Sequence, residues 1–109
     1  MAFAEIPIDT RFPDQEGVYT LARRNYLIRF RLNFRSKRWM MDIKTEQGNP
    51  ILIGIPLLVN RPLIRRFKDV RLPRGELFVL DVNETNTDPT EFSFGNTHTL
   101  VFRSDESAS

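Results

Sequence analysis

The chain has no cysteine and only one histidine, His98, so no disulfide can brace it and a His/Cys metal centre has almost no ligands to draw on. Glycine is scarce, five in 109 residues, and no Gly-rich phosphate cradle occurs. No Ser stands in a nucleophile-elbow context. The longest uncharged apolar stretch, PILIGIPLLVN, is too short to cross a bilayer and is interrupted by Gly54 and Pro56. The opening MAFAEIPIDTRF has neither a basic leader nor a long apolar run, so neither a secretion signal nor a membrane span is expected. These absences leave no catalytic, cofactor-binding or metal-binding residues to assign, and the expectation is a non-enzyme without cofactors.

What is present reads as globular: 40% of residues are hydrophobic and 28% charged. One core fits that length, so a single β-rich domain is expected over 1–104 with a flexible tail over 105–109. Two-residue alternation runs through the chain. In NYLIRFRLNFR, Tyr26, Ile28, Phe30, Leu32 and Phe34 fall on one side and Arg29, Arg31, Asn33 and Arg35 on the other. A short edge strand is expected over 3–8 and a loop at RFPDQEG. Further strands are expected over 18–22, 38–44, 51–59, 77–82 and 99–103, with tight reversals at RRN, RSK and TEQGNP. The 51–59 run is apolar on both faces and should be covered on both. NRPLIRRFKDV is the one expected helix, with Asn60 as its cap and Pro62 in its first turn. Together these elements indicate an all-β fold, a mainly antiparallel small barrel or sandwich, with one short helix.

The net charge of +2 hides segregation. Seven Lys or Arg lie between Gly17 and Met41 with no acid among them, and six more lie from Arg61 to Arg74 against Asp69 alone. After Gly75 the sign reverses. Arg29, Arg31, Arg35, Arg61, Arg65 and Arg66 are therefore the candidate interface residues, because guanidinium groups without acidic neighbours in sequence leave a partner to supply carboxylates. A solvated sheet face is the plain alternative. A nucleic-acid-binding small β-barrel is the other reading, but Tyr26, Phe30 and Phe34 alternate with the arginines, which separates stacking from charge. Trp39 reads as a core anchor, Asp42 as one half of a cross-strand ion pair, and His98 as a strand-edge residue with a satisfied hydrogen bond.

Several short stretches occur in one order: Trp39 with Asp42-Ile43, Gly48-Asn49-Pro50-Ile51, Gly54-Ile55-Pro56-Leu57, Arg74-Gly75-Glu76-Leu77, and DPTEFSFGNTHTLVF over 88–102. In these the chain resembles the baseplate hub plug proteins of cyanophage-type contractile tails. The resemblance implies a structural virion protein, made in the host cytoplasm, that fills the lumen of the central hub. It would touch the hub protein, the central spike and the tape-measure protein, as a homo-oligomer, a trimer by analogy with hub symmetry. No membrane and no nucleic acid belong to that role, and the family lends no catalytic residue.

Overall fold

A computed structural model describes residues 3–59, 61–64, 67, 69–82, 88–90 and 93–104. Seven strands run in order: β1 (Phe3–Ile6), β2 (Asp14–Leu21), β3 (Arg24–Asn33), β4 (Arg38–Thr45), β5 (Pro50–Pro56), β6 (Gly75–Asp81) and β7 (His98–Ser104). Every strand pair is antiparallel, and the strands form two sheets, ordered β1-β7-β6 and β2-β3-β4-β5.

The inner residues of both sheets join one cluster. Tyr26, Ile28, Phe30, Trp39, Met41 and Ile43 come from the larger sheet, and Ile6, Leu77, Val79, Leu100 and Phe102 from the smaller. Two half-apolar sheets that share a core make a sandwich, which resolves the choice between barrel and sandwich. Trp39 is 1% exposed and meets Phe94 edge-to-face at 6.2 Å, joining the two layers. Phe34 leaves the pattern: it lies past the end of β3 and is 58% exposed.

The expected two-sided strand over 51–59 is two pieces. β5 is an edge strand, and Ile53 is 56% exposed. Beyond Pro56 the chain crosses to the other sheet: Leu57 N–H donates to the Trp39 carbonyl at 2.9 Å, and Val59 bridges Val79 in parallel. The run is apolar throughout because its second half is a strap covering the open edge of β6.

No helix occurs among the described residues. In the stretch expected to be helical, Leu63 N–H donates to the Leu77 carbonyl at 3.1 Å, and the Leu63 and Ile64 N–H groups both donate to the Glu76 carboxylate. These tertiary partners hold the stretch in bends beside β6, where an isolated helix of two to three turns would have been marginal in any case. Asn60, Arg65, Arg66 and Lys68, which that helix would have included, lie outside the described residues.

β2 and β3 are joined by a two-residue turn in which Ala22 and Arg23 both have positive φ, 50° and 69°. This is the turn whose twist suits a hairpin, and it strongly favours Asn-Gly. The double substitution Ala22→Asn, Arg23→Gly is therefore expected to stabilise the fold by about 1 kcal/mol, since Gly has no Cβ to penalise left-handed backbone and Asn offsets that penalty with local hydrogen bonds. A thermal melt checks it: the midpoint should rise by roughly 4–8 °C, and a fall would contradict the assignment.

Candidate interaction surface

The outer face of the four-stranded sheet carries the arginine row. Strand register sets Glu16 opposite Arg29 and Arg29 opposite Asp42, with Asp14 opposite Arg31 and Arg31 opposite Met40. The ion pairs run diagonally across this grid. Arg29 forks onto both oxygens of Asp14. Arg31 reaches Asp42 Oδ1 at 2.9 Å, and Lys44 reaches Glu16 at 3.5 Å. Long side chains at diagonal positions of adjacent strands are within reach, which serves the two arginine pairs, whereas Lys44 of β4 reaches across β3 to Glu16 of β2.

The expectation that another polypeptide must bring carboxylates to Arg29 and Arg31 is therefore corrected. Their acids come from this chain, from β2 and β4. Asp14 and Glu16 lie in the segment expected to be a loop, which is instead the first half of β2. The signal that would have found them was present in the sequence. Asp14, Glu16, Val18 and Thr20 alternate with Gln15, Gly17, Tyr19 and Leu21, but Pro13 and Gly17 read as loop punctuation.

The remaining candidate arginines are dispersed. Arg35 is exposed in the β3–β4 turn, where its backbone N–H donates to Asn33 Oδ1 at 3.0 Å. Arg61 is exposed on the strap beside β6, in the other layer. Arg65 and Arg66 lie outside the described residues. The structure thus joins Arg29 and Arg31 on one face, places Arg35 at the end of their strand, and leaves Arg61 apart.

The hydrogen bond from Arg29 holds the Asp14 carboxyl below the usual aspartate range. A carboxylate depressed in the folded state contributes stability above its unfolded pKa and loses it as pH falls through the folded one. The Asp14–Arg29 pair therefore weakens only under acid conditions. Since Asp14 is exposed, the gain is small and salt-sensitive.

Asp42 differs, being 3% exposed. The β4–β5 register shifts between Met41 and Ile43, and Gly54 sits at the irregularity with φ 73°. Gly54 N–H donates to Asp42 Oδ1 at 2.8 Å, so one carboxylate serves both the bulge and Arg31. Asp42→Ala would leave a half-buried N–H and guanidinium without their acceptor, for an expected loss of about 2–3 kcal/mol; Asp42→Asn, which keeps an acceptor, should lose roughly half as much. Urea unfolding of the two variants checks this, and equal losses would count against the dual role.

His98 opens β7, is buried, and lies 3.0 Å through Nδ1 from Thr97 Oγ1. Among the described residues no group of three or more His, Cys, Asp and Glu is placed to hold a metal ion, and no helix is long and apolar enough to cross a membrane.

A family model described as cyanophage baseplate Pam3 plug gp18 matches residues 3–105, a span that takes in all seven strands. No curated protein matches the chain.

Proposed function

The chain belongs to the family described as cyanophage baseplate Pam3 plug gp18, and from that premise we propose that it plugs the lumen of a tail hub, held by contacts with the hub, the spike and the end of the tape-measure protein. The match across the whole sandwich is the observation that carries this reading. Its role is mechanical: the protein occupies volume, resists deformation and releases when neighbouring subunits rearrange. A sandwich measuring 36 × 29 × 22 Å around one close-packed core suits that work, because packed interiors have low compressibility. The internally paired sheet face adds stiffness to the larger layer, and the exposed Arg35 and Arg61 remain available to acidic surface on neighbours.

A stable contact with a neighbour buries at least on the order of 1,000 Å² in total, so roughly 500 Å² from this chain. Its 6752 Å² of accessible surface can supply several such contacts. A central hub built with rotational symmetry favours a ring of copies, and three is the number we propose. Co-expression with the hub and spike proteins of the same tail, followed by native mass measurement, tests the reading. A complex holding three copies is expected; a protein that stays monomeric and unbound beside assembled hub would overturn it.

A further inference from the structure

One end of the larger sheet concentrates features that the plug reading leaves unused. The turn between β3 and β4 occupies residues 34–37, and its tip carries Phe34, 58% exposed, between Asn33 and the exposed Arg35 and Arg38. Among the described residues neither Arg35 nor Arg38 makes an ion pair, in contrast to Arg29 and Arg31 on the same sheet. The turn is built to hold its shape. Asn33 Oδ1 accepts from the backbone N–H groups of Arg35 and Ser36, and Lys37 N–H donates to the Asn33 carbonyl at 2.7 Å. Lys37 lies over the Phe34 ring at 5.7 Å from its centroid.

Beside this tip is a hollow of about 330 Å³, lined by Pro13, Leu32, Phe34 and Met40, with Arg31 and Asp14 at its polar part. The Asp14 carboxylate is already engaged by Arg29. Arg31 gives one terminal nitrogen to Asp42, whereas its Nε is buried with no acceptor among the described residues. The site therefore combines an exposed aromatic, a small apolar recess and two unpaired guanidinium groups. Contacts that dominate protein interfaces are of this kind: aromatic and arginine anchors around a recess.

We propose that this hairpin tip and hollow dock an acidic segment of a neighbouring baseplate protein, one that places an apolar side chain in the recess and carboxylates against Arg35 and Arg38. The proposal rests on the plug reading and assigns its anchoring contact. Charge complementarity selects the partner, since the cations here exceed what this chain's own acids neutralise. A single-stranded nucleic acid fits less well. Tyr26 and Phe30 are buried on the inner face, the ion-paired outer face presents no aromatic side chain from β3 or β4, and one face of Phe34 is already covered by Lys37, so a stacking platform is missing.

The test uses the full chain with Arg35→Glu and Arg38→Glu together, and separately Phe34→Ala, each co-expressed with the hub and spike proteins of the same tail. Because the substituted side chains are exposed, melting midpoints should stay within a few degrees of the parent. Retained folding with affinity for the complex lowered at least about tenfold is the expected result. Variants that join the complex as well as the parent would overturn the tip as anchor and leave the plug reading intact. A parent chain that fails to join would remove the plug reading and the proposal with it. A fluorescent twenty-nucleotide oligo-dT forms the last arm: binding that Phe34→Ala abolishes, with co-assembly unchanged, would assign the tip to nucleic acid instead.

Discussion

Replacing Gly75 by alanine is expected to cost roughly 3 kcal/mol or more and to deplete the folded state at moderate temperature. Gly75 opens β6 with φ 151°, in a region that residues with a Cβ seldom adopt. A Cβ there would lie on the Arg103 carbonyl oxygen and within 2.6 and 2.9 Å of two Phe102 ring carbons. Neither neighbour can yield cheaply. Arg103 is fixed by the β6–β7 ladder, and Phe102, 3% exposed, belongs to the core. Gly48 is the control: it also has positive φ, 91°, but nothing lies within 4 Å of its Cβ position. Gly48→Ala should thus show only the conformational cost, about 1–2 kcal/mol. Equal midpoints of chemical unfolding for the two variants would show that the close approach at Gly75 is relieved in solution.

Glu76→Ala should be comparably severe. Glu76 is 1% exposed, and its Oε1 accepts three backbone N–H groups, those of Leu63 at 3.0 Å, Ile64 at 2.8 Å and Leu77 at 2.9 Å. Leu77 keeps its place in the β ladder, but Leu63 and Ile64 belong to the strap and have few other anchors. Leu63 N–H keeps the Leu77 carbonyl, but removing the carboxylate takes the acceptor from the buried Ile64 N–H and weakens the other two, at about 1–3 kcal/mol for each donor left unsatisfied and an expected total of roughly 3 kcal/mol. Glu76→Gln keeps one acceptor oxygen and should lose about half of that. Oε2 has no partner among the described residues, so the amide nitrogen of Gln gains nothing there. Hydrogen exchange separates this effect from global destabilisation: the Leu63 and Ile64 amides should lose protection first in the Gln variant. Uniform loss across the sheets would contradict the strap's dependence on this carboxylate.

The larger sheet was legible wherever side chains alternate between oil and water. β3 and β4 announce themselves because Tyr26, Ile28 and Phe30, then Trp39, Met41 and Ile43, must all face one way. The Asp42 ion pair could be read for the same reason, since alternation puts Asp42 on the arginine side. What was hidden depends on contacts distant in sequence. Asp14 reads as loop until β3 is placed beside it, and only the register shows that it lies opposite Arg31. The residues around Pro62 carry good local helix signals, yet their amide donors are taken by Glu76 and Leu77, more than ten positions away. Tertiary hydrogen bonds overrode local preference there. The exposure of Phe34 was hidden too, because a two-residue period gives no warning of where a strand stops.

Legibility of the interface followed the same division. Charge segregation pointed to Arg29, Arg31 and Arg35 as one set, and the fold separates them into two that are ion-paired within the sheet and one left at its tip. Counting acids along the sequence could not reveal this, since Asp14 lies fifteen positions before the Arg29 it neutralises.

Electron cryo-microscopy of the assembled tail baseplate tests the central claim most directly. The expected map shows this sandwich on the tail axis inside the hub, three copies around it, with residues 34–38 pressed against an acidic wall. Density for the chain on the outer rim, or a fully occupied hub lumen containing none of it, would contradict the account.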